Sequence, residues 1–227
     1  MPRLVLLPGL NGSSGLFAPL LEHLNPALDV QTLSLPDQGE QDFRSLADRL
    51  ADQLGETPFV LLGESFSGPL AYRLALDNPT GLRGVIFAAS FLRRPHPLLG
   101  LARRAPLPKW LLRQSCLLRL FCVGGPASAA LIELLRQEIN ALPQALLRAR
   151  MATLSQLHAP ARRLELPALH LLPSQDRLVT HKASASLQAH CSQLQQVAID
   201  GPHFLLQSQP RACARAIERF IATLETK

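Results

Sequence analysis

The chain contains few aromatic residues, few cysteines and no long apolar run. Aromatic residues make up 5% of its 227 residues, and this scarcity disfavours a nucleic-acid surface built on base stacking. No stretch reaches the roughly 18 consecutive apolar residues of a transmembrane segment. The first residues, Met1 to Leu4, lack the pattern of a signal peptide, so we expect a cytoplasmic protein.

Zinc, redox and phosphate-binding signatures are also missing. The four cysteines have no C-x-x-C spacing, which together with the expected location favours reduced thiols; they are Cys116, Cys122, Cys191 and Cys213. The glycine-rich patterns G-x-x-x-x-G-K-[ST] and G-x-G-x-x-G are absent. Neither a metal site nor a nucleotide cofactor is indicated.

Short apolar runs alternate with helical patterns along most of the chain. With 47% hydrophobic and 18% charged residues, the composition is that of a globular protein. Such alternation predicts an α/β fold with a parallel sheet and helices on both faces. We predict six buried strands, at residues 4–7, 29–33, 59–62, 85–88, 168–172 and 196–199.

The hydrophobic period changes abruptly at Ser65. The apolar run at 59–62 predicts a strand buried on both faces, and apolar residues recur at helical spacing after the serine. Small residues at Gly63, Ser67 and Gly68 would let strand and helix approach closely. This arrangement resembles the nucleophile elbow of the α/β-hydrolase family, whose pattern is G-x-S-x-G. Ser67 stands where the family usually has glycine.

The resemblance implies a catalytic triad in the chain order serine, acid, histidine. Asp176 follows the predicted strand at 168–172, and His203 follows the strand at 196–199. Their spacing of 27 positions leaves room for one helix and one strand, as a parallel sheet requires. According to this resemblance, Ser65 is the nucleophile, His203 is its base and Asp176 is the group that orients the base. Such chemistry needs no cofactor or metal.

The glycine-containing loop 8–14 follows the first strand. In the family the corresponding strand ends in His-Gly, and here Pro8 replaces the histidine. Since only backbone is needed, the resemblance implies that the N–H groups of Leu10 and Phe66 form the oxyanion hole. A turn without catalytic duty is the alternative.

Other titratable residues compete weakly for these roles. We interpret Asp200 as a solvated loop residue and Glu64, directly before the nucleophile, as a structural hydrogen-bond partner. His170 lies in a predicted strand, so we expect a core residue with satisfied hydrogen bonds. Asp176 therefore remains the predicted acid.

Residues 91–165 differ from the rest of the chain. Strand patterns stop, and three helical stretches follow at 109–121, 127–141 and 144–158. The insertion resembles the helical cap of many α/β-hydrolases, which would divide the chain into a core at 1–90 and 166–227 and a cap at 91–165. The cap contains 12 Lys and Arg but only 3 Glu. These charges could form a solvated face, attract anionic lipid or attract an acidic acyl carrier protein.

These features lead to one main hypothesis and three alternatives. The main hypothesis is a serine hydrolase that cleaves carboxylic esters of small or medium acyl groups through an acyl-enzyme. A thioesterase or methyl esterase acting on carrier-bound acyl groups would use the same residues, and so would an acyltransferase. A binding protein that has the fold but no activity is the alternative outside enzymes.

Overall fold

A computed structural model describes residues 1–99, 114–124 and 128–225. Its six strands form one sheet in the order β2-β1-β3-β4-β5-β6, and every neighbouring pair is parallel. The predicted six-stranded α/β fold is therefore confirmed. The strands are β1 (Arg3–Leu7), β2 (Val30–Thr32), β3 (Phe59–Glu64), β4 (Leu82–Ala88), β5 (Leu164–Pro173) and β6 (Cys191–Ile199).

Helices cover both faces of the sheet, which explains the continuous apolar runs of the inner strands. In β1, Leu4 and Leu6 pack into one hydrophobic core, while Val5 and Leu7 pack into the core on the opposite face. All four side chains are fully buried. Successive side chains of a strand point to opposite faces, so a strand between two cores must be apolar throughout.

The helices of the core follow the strands in alternation. An example is α2, which begins where the Asp42 carboxylate accepts the N–H groups of Arg44 and Ser45 and ends at Gly55, with φ +70°. Outside the insertion the helices are α1 (Ala18–Leu21), α2 (Phe43–Leu54), α3 (Ser67–Leu76), α7 (His181–Ser184), α8 (Ser186–His190), α9 (Leu205–Ser208) and α10 (Pro210–Glu225).

The described part of the insertion between β4 and β5 contains helices and no strand. Two predicted helices are confirmed as α5 (Ala129–Ala141) and α6 (Gln144–Ser155). The predicted helix at 109–121 lies partly outside the described residues, and its last part forms α4 (Ser115–Leu117) and a π-helical turn, Leu118–Val123. Strand β5 begins at Leu164, slightly before the predicted core boundary at residue 166. The division into core and cap stays a prediction.

Strand order determines which loops meet. From β1 the chain passes to β2 on one side, then returns to β3 on the other, so the carboxyl ends of β1 and β3 form a topological switch point. The β1 loop (Pro8–Ser14) and Ser65 leave the sheet at this point. The loops after β5 and β6 emerge from neighbouring strands at the same edge. No helix among the described residues has the length and apolar character needed to cross a bilayer.

Candidate active site

Ser65 occupies a strained turn between β3 and α3. Its φ is +47°, in the left-handed region that residues other than glycine rarely adopt. The turn is held on both sides, because the Ser65 N–H donates to the Ala88 carbonyl at 2.9 Å and the Ser90 hydroxyl donates to the Ser65 carbonyl at 2.8 Å. The backbone thus presents the Ser65 side chain at the carboxyl edge of the sheet.

The elbow has no space for larger residues at its two glycines. A Cβ atom at Gly63 would lie 2.3 Å from the Ser67 carbonyl oxygen. One at Gly68 would lie 1.6 Å from the Ser90 hydroxyl oxygen. The close approach of strand and helix that the sequence predicted is therefore confirmed.

Three side chains from distant parts of the chain form a hydrogen-bonded series. Ser65 Oγ lies 2.8 Å from His203 Nε2, and His203 Nδ1 lies 2.7 Å from Asp176 Oδ2. The imidazole is buried, with 6% of the side chain exposed. All three residues named from the sequence are thus brought together, in the predicted order.

The environment of Asp176 favours its ionised form. Burial raises the pKa of this carboxyl, but the His203 ring and the N–H groups of Leu178 and Val179 lower it by more, so the pKa lies below its ordinary value. An ionised Asp176 accepts the Nδ1–H of His203, which leaves Nε2 free to accept the Ser65 hydroxyl proton.

The β1 loop lies beside this series. Neither Leu10 nor Phe66 donates its backbone N–H to an acceptor in the described part of the chain. The Ser67 hydroxyl, buried at the start of α3, donates to the Pro8 carbonyl. The residue that departs from the family pattern therefore connects the elbow to the loop, a contact that the sequence did not indicate.

Glu64 is buried beneath the loop, and its predicted hydrogen bond is confirmed. Its Oε1 accepts from Gln207 Nε2 at 2.8 Å, and the same amide donates to the Leu16 carbonyl at 3.1 Å. Burial raises the pKa of the Glu64 carboxyl, and the hydrogen bond from Gln207 and the nearby His203 ring oppose this effect. Gln207 could not be predicted as the partner, since it lies 143 positions later in the chain.

The histidine in β5 differs from expectation. His170 is fully buried, as predicted, but its Nε2 has no hydrogen-bond partner among the described residues, and its Nδ1 lies 3.4 Å from the Gln196 amide nitrogen. The prediction of satisfied hydrogen bonds is therefore wrong. Burial lowers the pKa of His170 to about 4. Asp200, by contrast, is exposed and accepts from Ser174 and Gln175, in agreement with its interpretation as a loop residue.

The helical insertion also contacts the β1 loop. Glu138 of α5 accepts from Asn11 Nδ2 at 2.9 Å and from the Ser13 hydroxyl. Nothing in the sequence pattern predicted this contact, because Glu138 resembles any polar residue of an amphipathic helix. Within the described ranges, no three His, Cys, Asp or Glu side chains converge as metal ligands.

Comparisons with known proteins agree with this architecture. A bifunctional biotin biosynthesis protein, BioHC of Cellvibrio japonicus, is 31% identical to 99% of this chain, which covers 48% of that protein. A pimeloyl-[acyl-carrier protein] methyl ester esterase of Pseudoalteromonas atlantica is 33% identical over 97 residues, 39% of this chain and 37% of the relative. The chain thus spans about half the length, or less, of these curated relatives.

A solved structure and a family description extend the comparison to the whole fold. A thermophilic esterase from Thermogutta terrifontis superposes with a TM-score of 0.81 at 21% identity, covering 99% of this chain and 90% of that one. A sequence model of the alpha/beta hydrolase family matches residues 4–216 of the chain. Strand order, elbow and sequence match lead to the same conclusion: the chain belongs to the alpha/beta hydrolase family.

Proposed function

We propose that the protein is a serine hydrolase of carboxylic esters, with Ser65 as nucleophile, His203 as general base and Asp176 as the orienting acid. The observation that carries this proposal is the continuous series of two short hydrogen bonds, 2.8 and 2.7 Å long. A serine hydroxyl is a weak nucleophile until a neighbouring base takes its proton. The strained elbow, which exposes Ser65 toward the ends of the strands, supports the same role.

Each step follows from this geometry. Ser65 Oγ attacks the ester carbonyl carbon while its proton moves to His203 Nε2, and Asp176 stabilises the resulting imidazolium. The N–H groups of Leu10 and Phe66 donate to the oxyanion of the tetrahedral intermediate. When this intermediate collapses, the carbon–oxygen bond to the leaving alcohol breaks and His203 protonates the alcohol. Water, deprotonated by His203, then hydrolyses the acyl-enzyme and restores Ser65.

Covalent labelling tests the assignment directly. We expect a fluorophosphonate probe to label the protein once per chain at Ser65, and p-nitrophenyl esters of short acids to be hydrolysed. Ser65→Ala should abolish both. The control is Ser155→Ala, because Ser155 lies on α6 and its hydroxyl donates within its own helix, to the Ala152 carbonyl. Labelling or turnover that persists in Ser65→Ala would refute the proposal.

A second candidate substrate is an acyl ester carried by an acyl carrier protein in the cytoplasm. Two observations favour it: one relative is named as a methyl ester esterase of such a carrier substrate, and the insertion carries an excess of basic residues. Arg93 and Arg94 are exposed at its start, and Arg162 and Arg163 are exposed at its end. Exposed cations can accelerate encounter with an acidic partner through long-range attraction.

Charge reversal separates the two substrate classes. In a variant with all four of these arginines changed to Glu, kcat/KM for a carrier-linked methyl ester should fall steeply and lose its dependence on salt. Hydrolysis of a p-nitrophenyl ester should stay unchanged, because a small neutral substrate gains nothing from steering. Equal losses on both substrates would contradict the carrier proposal. Hydrolysis of a carrier thioester to acid and thiol would instead identify a thioesterase, and a new ester formed with an added alcohol would identify an acyltransferase.

A further inference from the structure

Arg150 is a buried cation that joins the insertion to two loops of the core. Its side chain extends from α6, and only 1% of the residue is exposed. Nη1 donates to the Leu10 carbonyl at 2.9 Å, Nη2 to the Pro36 carbonyl at 3.2 Å and Nε to Gln41 Oε1 at 3.0 Å. Each of the three guanidinium nitrogens thus donates to a neutral oxygen atom.

The β1 loop is shaped around this side chain. Gly12 has a φ of +79°, and a Cβ atom there would lie 2.2 Å from Arg150 Nη1. Both the backbone conformation and the lack of space therefore require glycine. Burial lowers the pKa of Arg150 to about 10, so the side chain is still charged at neutral pH. Burying a cation is costly, and here the cost is offset by hydrogen bonds to three oxygen acceptors that an apolar side chain would leave without this donor.

The hydrogen bonds around Leu10 explain why a donor is needed at this position. The Pro8 carbonyl accepts from Ser67, the Gly9 carbonyl accepts from Gly12 N–H at 3.0 Å, and the Leu10 carbonyl accepts from Arg150. The carbonyls on both sides of the Leu10 N–H are therefore held. Because a peptide group is planar, the bond from Gly12 to the Gly9 carbonyl sets the direction of the Leu10 N–H. Arg150 supports this turn at two points, since it donates to the Leu10 carbonyl and packs closely against Gly12.

We propose that Arg150 is a positioning residue, through which helix α6 holds the Leu10 N–H in the direction that stabilises the oxyanion. This inference rests on the proposed function, because it gives Leu10 a task only if an oxyanion forms at Ser65. The oxyanion exists in the transition state and not in the bound ester. Loss of Arg150 therefore lowers kcat and leaves KM nearly unchanged.

The experiment compares Arg150→Met and Arg150→Lys with Arg148→Met. Arg148 lies two residues earlier on the same helix and is exposed, so its substitution removes the same charge from α6 without disturbing the loop. We expect Arg150→Met to lower kcat for p-nitrophenyl butyrate about 10- to 100-fold, with KM within about twofold. Arg150→Lys, which keeps the charge but not the fork, falls in between. Arg148→Met behaves as wild type.

Two further measurements separate positioning from folding. Titration with a fluorophosphonate to its end point counts active sites, so kcat is expressed per folded molecule even if a variant is partly unfolded. A trifluoromethyl ketone that forms a hemiketal oxyanion at Ser65 should lose affinity in proportion to kcat across the variants. A normal kcat per site, or unchanged affinity for the ketone, in Arg150→Met overturns the inference while leaving the triad intact. Activity that survives in Ser65→Ala would instead overturn the proposed function.

Discussion

The hydroxyl of Ser67 donates a hydrogen bond to the carbonyl oxygen of Pro8, and this contact fixes the nucleophile turn against the β1 loop. Both residues are buried. In the usual family pattern the position of Ser67 is glycine, which could not make such a bond. A serine here therefore supplies a connection between two segments that are 59 residues apart in the chain.

Removing that hydroxyl should affect both stability and catalysis. We expect Ser67→Ala to lower the free energy of unfolding by about 1–3 kcal/mol, because a buried carbonyl loses its donor. The kcat for p-nitrophenyl butyrate should also decrease, since the Pro8 peptide precedes the loop that carries Leu10. Urea denaturation and steady-state kinetics provide the measurements.

Ser155→Ala is the matched control for this change. Its hydroxyl bonds within its own helix, so we expect a change in unfolding free energy of less than about 0.5 kcal/mol. If Ser67→Ala unfolds at the same urea concentration as wild type, the Pro8 contact has no energetic role.

The sequence was sufficient to predict the elbow and the three residues that meet there. A change of hydrophobic period at Ser65 is a local signal, and it identifies a strand-to-helix turn without any knowledge of the rest of the fold. Asp176 and His203 each follow a buried strand, and the carboxyl ends of parallel strands lie at one edge of a sheet. The alternation of strands and helices therefore predicts that these loops meet, while the choice of these two residues came from the resemblance to the family.

Contacts made by the insertion could not be predicted in the same way. Arg148 and Arg150 lie two residues apart on α6, yet the first is exposed and the second is buried. The helical pattern alone does not show which polar residues of α6 are buried, because that depends on what packs against the helix. For Arg150 the packing partner is a loop 140 residues earlier in the chain. The Glu64–Gln207 hydrogen bond could not be predicted for the same reason, because its two residues lie 143 positions apart in the chain.

The close packing of Gly68 against Ser90 at the elbow can be tested by substitution. We expect Gly68→Ala to destabilise the protein severely, because the new methyl group would collide with the Ser90 side chain. A double variant, Gly68→Ala with Ser90→Gly, should recover part of the lost melting temperature, although the Ser90 bond to the Ser65 carbonyl is absent. Thermal denaturation measures both effects. If Ser90→Gly does not improve the Gly68→Ala protein, the collision is not the cause of its instability.

The two acids near His203 should behave differently when neutralised. Asp176→Asn removes the charge that stabilises the imidazolium and reverses the preferred tautomer, so we expect kcat to fall by about 10³- to 10⁴-fold. Asp200→Asn changes an exposed carboxylate that accepts hydrogen bonds from Ser174 and Gln175, and should keep kcat within about threefold of wild type. Ester hydrolysis by the purified variants measures both. A large loss in Asp200→Asn with little loss in Asp176→Asn would reverse the assignment of the acid.

The buried ring of His170 should make the fold sensitive to mild acid. Its pKa is lowered from 6.5 to about 4 in the folded protein by burial, so the unfolded chain binds a proton in this window that the folded protein does not. The contribution of neutral His170 to the free energy of unfolding is therefore fully present above its ordinary pKa of 6.5. It is lost as the pH falls toward the pKa of about 4 in the folded protein. Protonation of His170 would lower the free energy of unfolding by about 3 kcal/mol in total.

Substitution of His170 by Leu should remove this dependence. Leu has a similar size and no titratable group, so the unfolding free energy of His170→Leu should decrease less than that of wild type between about pH 7 and pH 4.5. Urea denaturation at several pH values measures the two profiles, and their difference is independent of any constant packing change. Asp176 does not interfere, because its lowered pKa affects stability only below the ordinary aspartate range. Parallel profiles would mean that His170 is protonated equally in the folded and unfolded chains, contrary to its burial in β5.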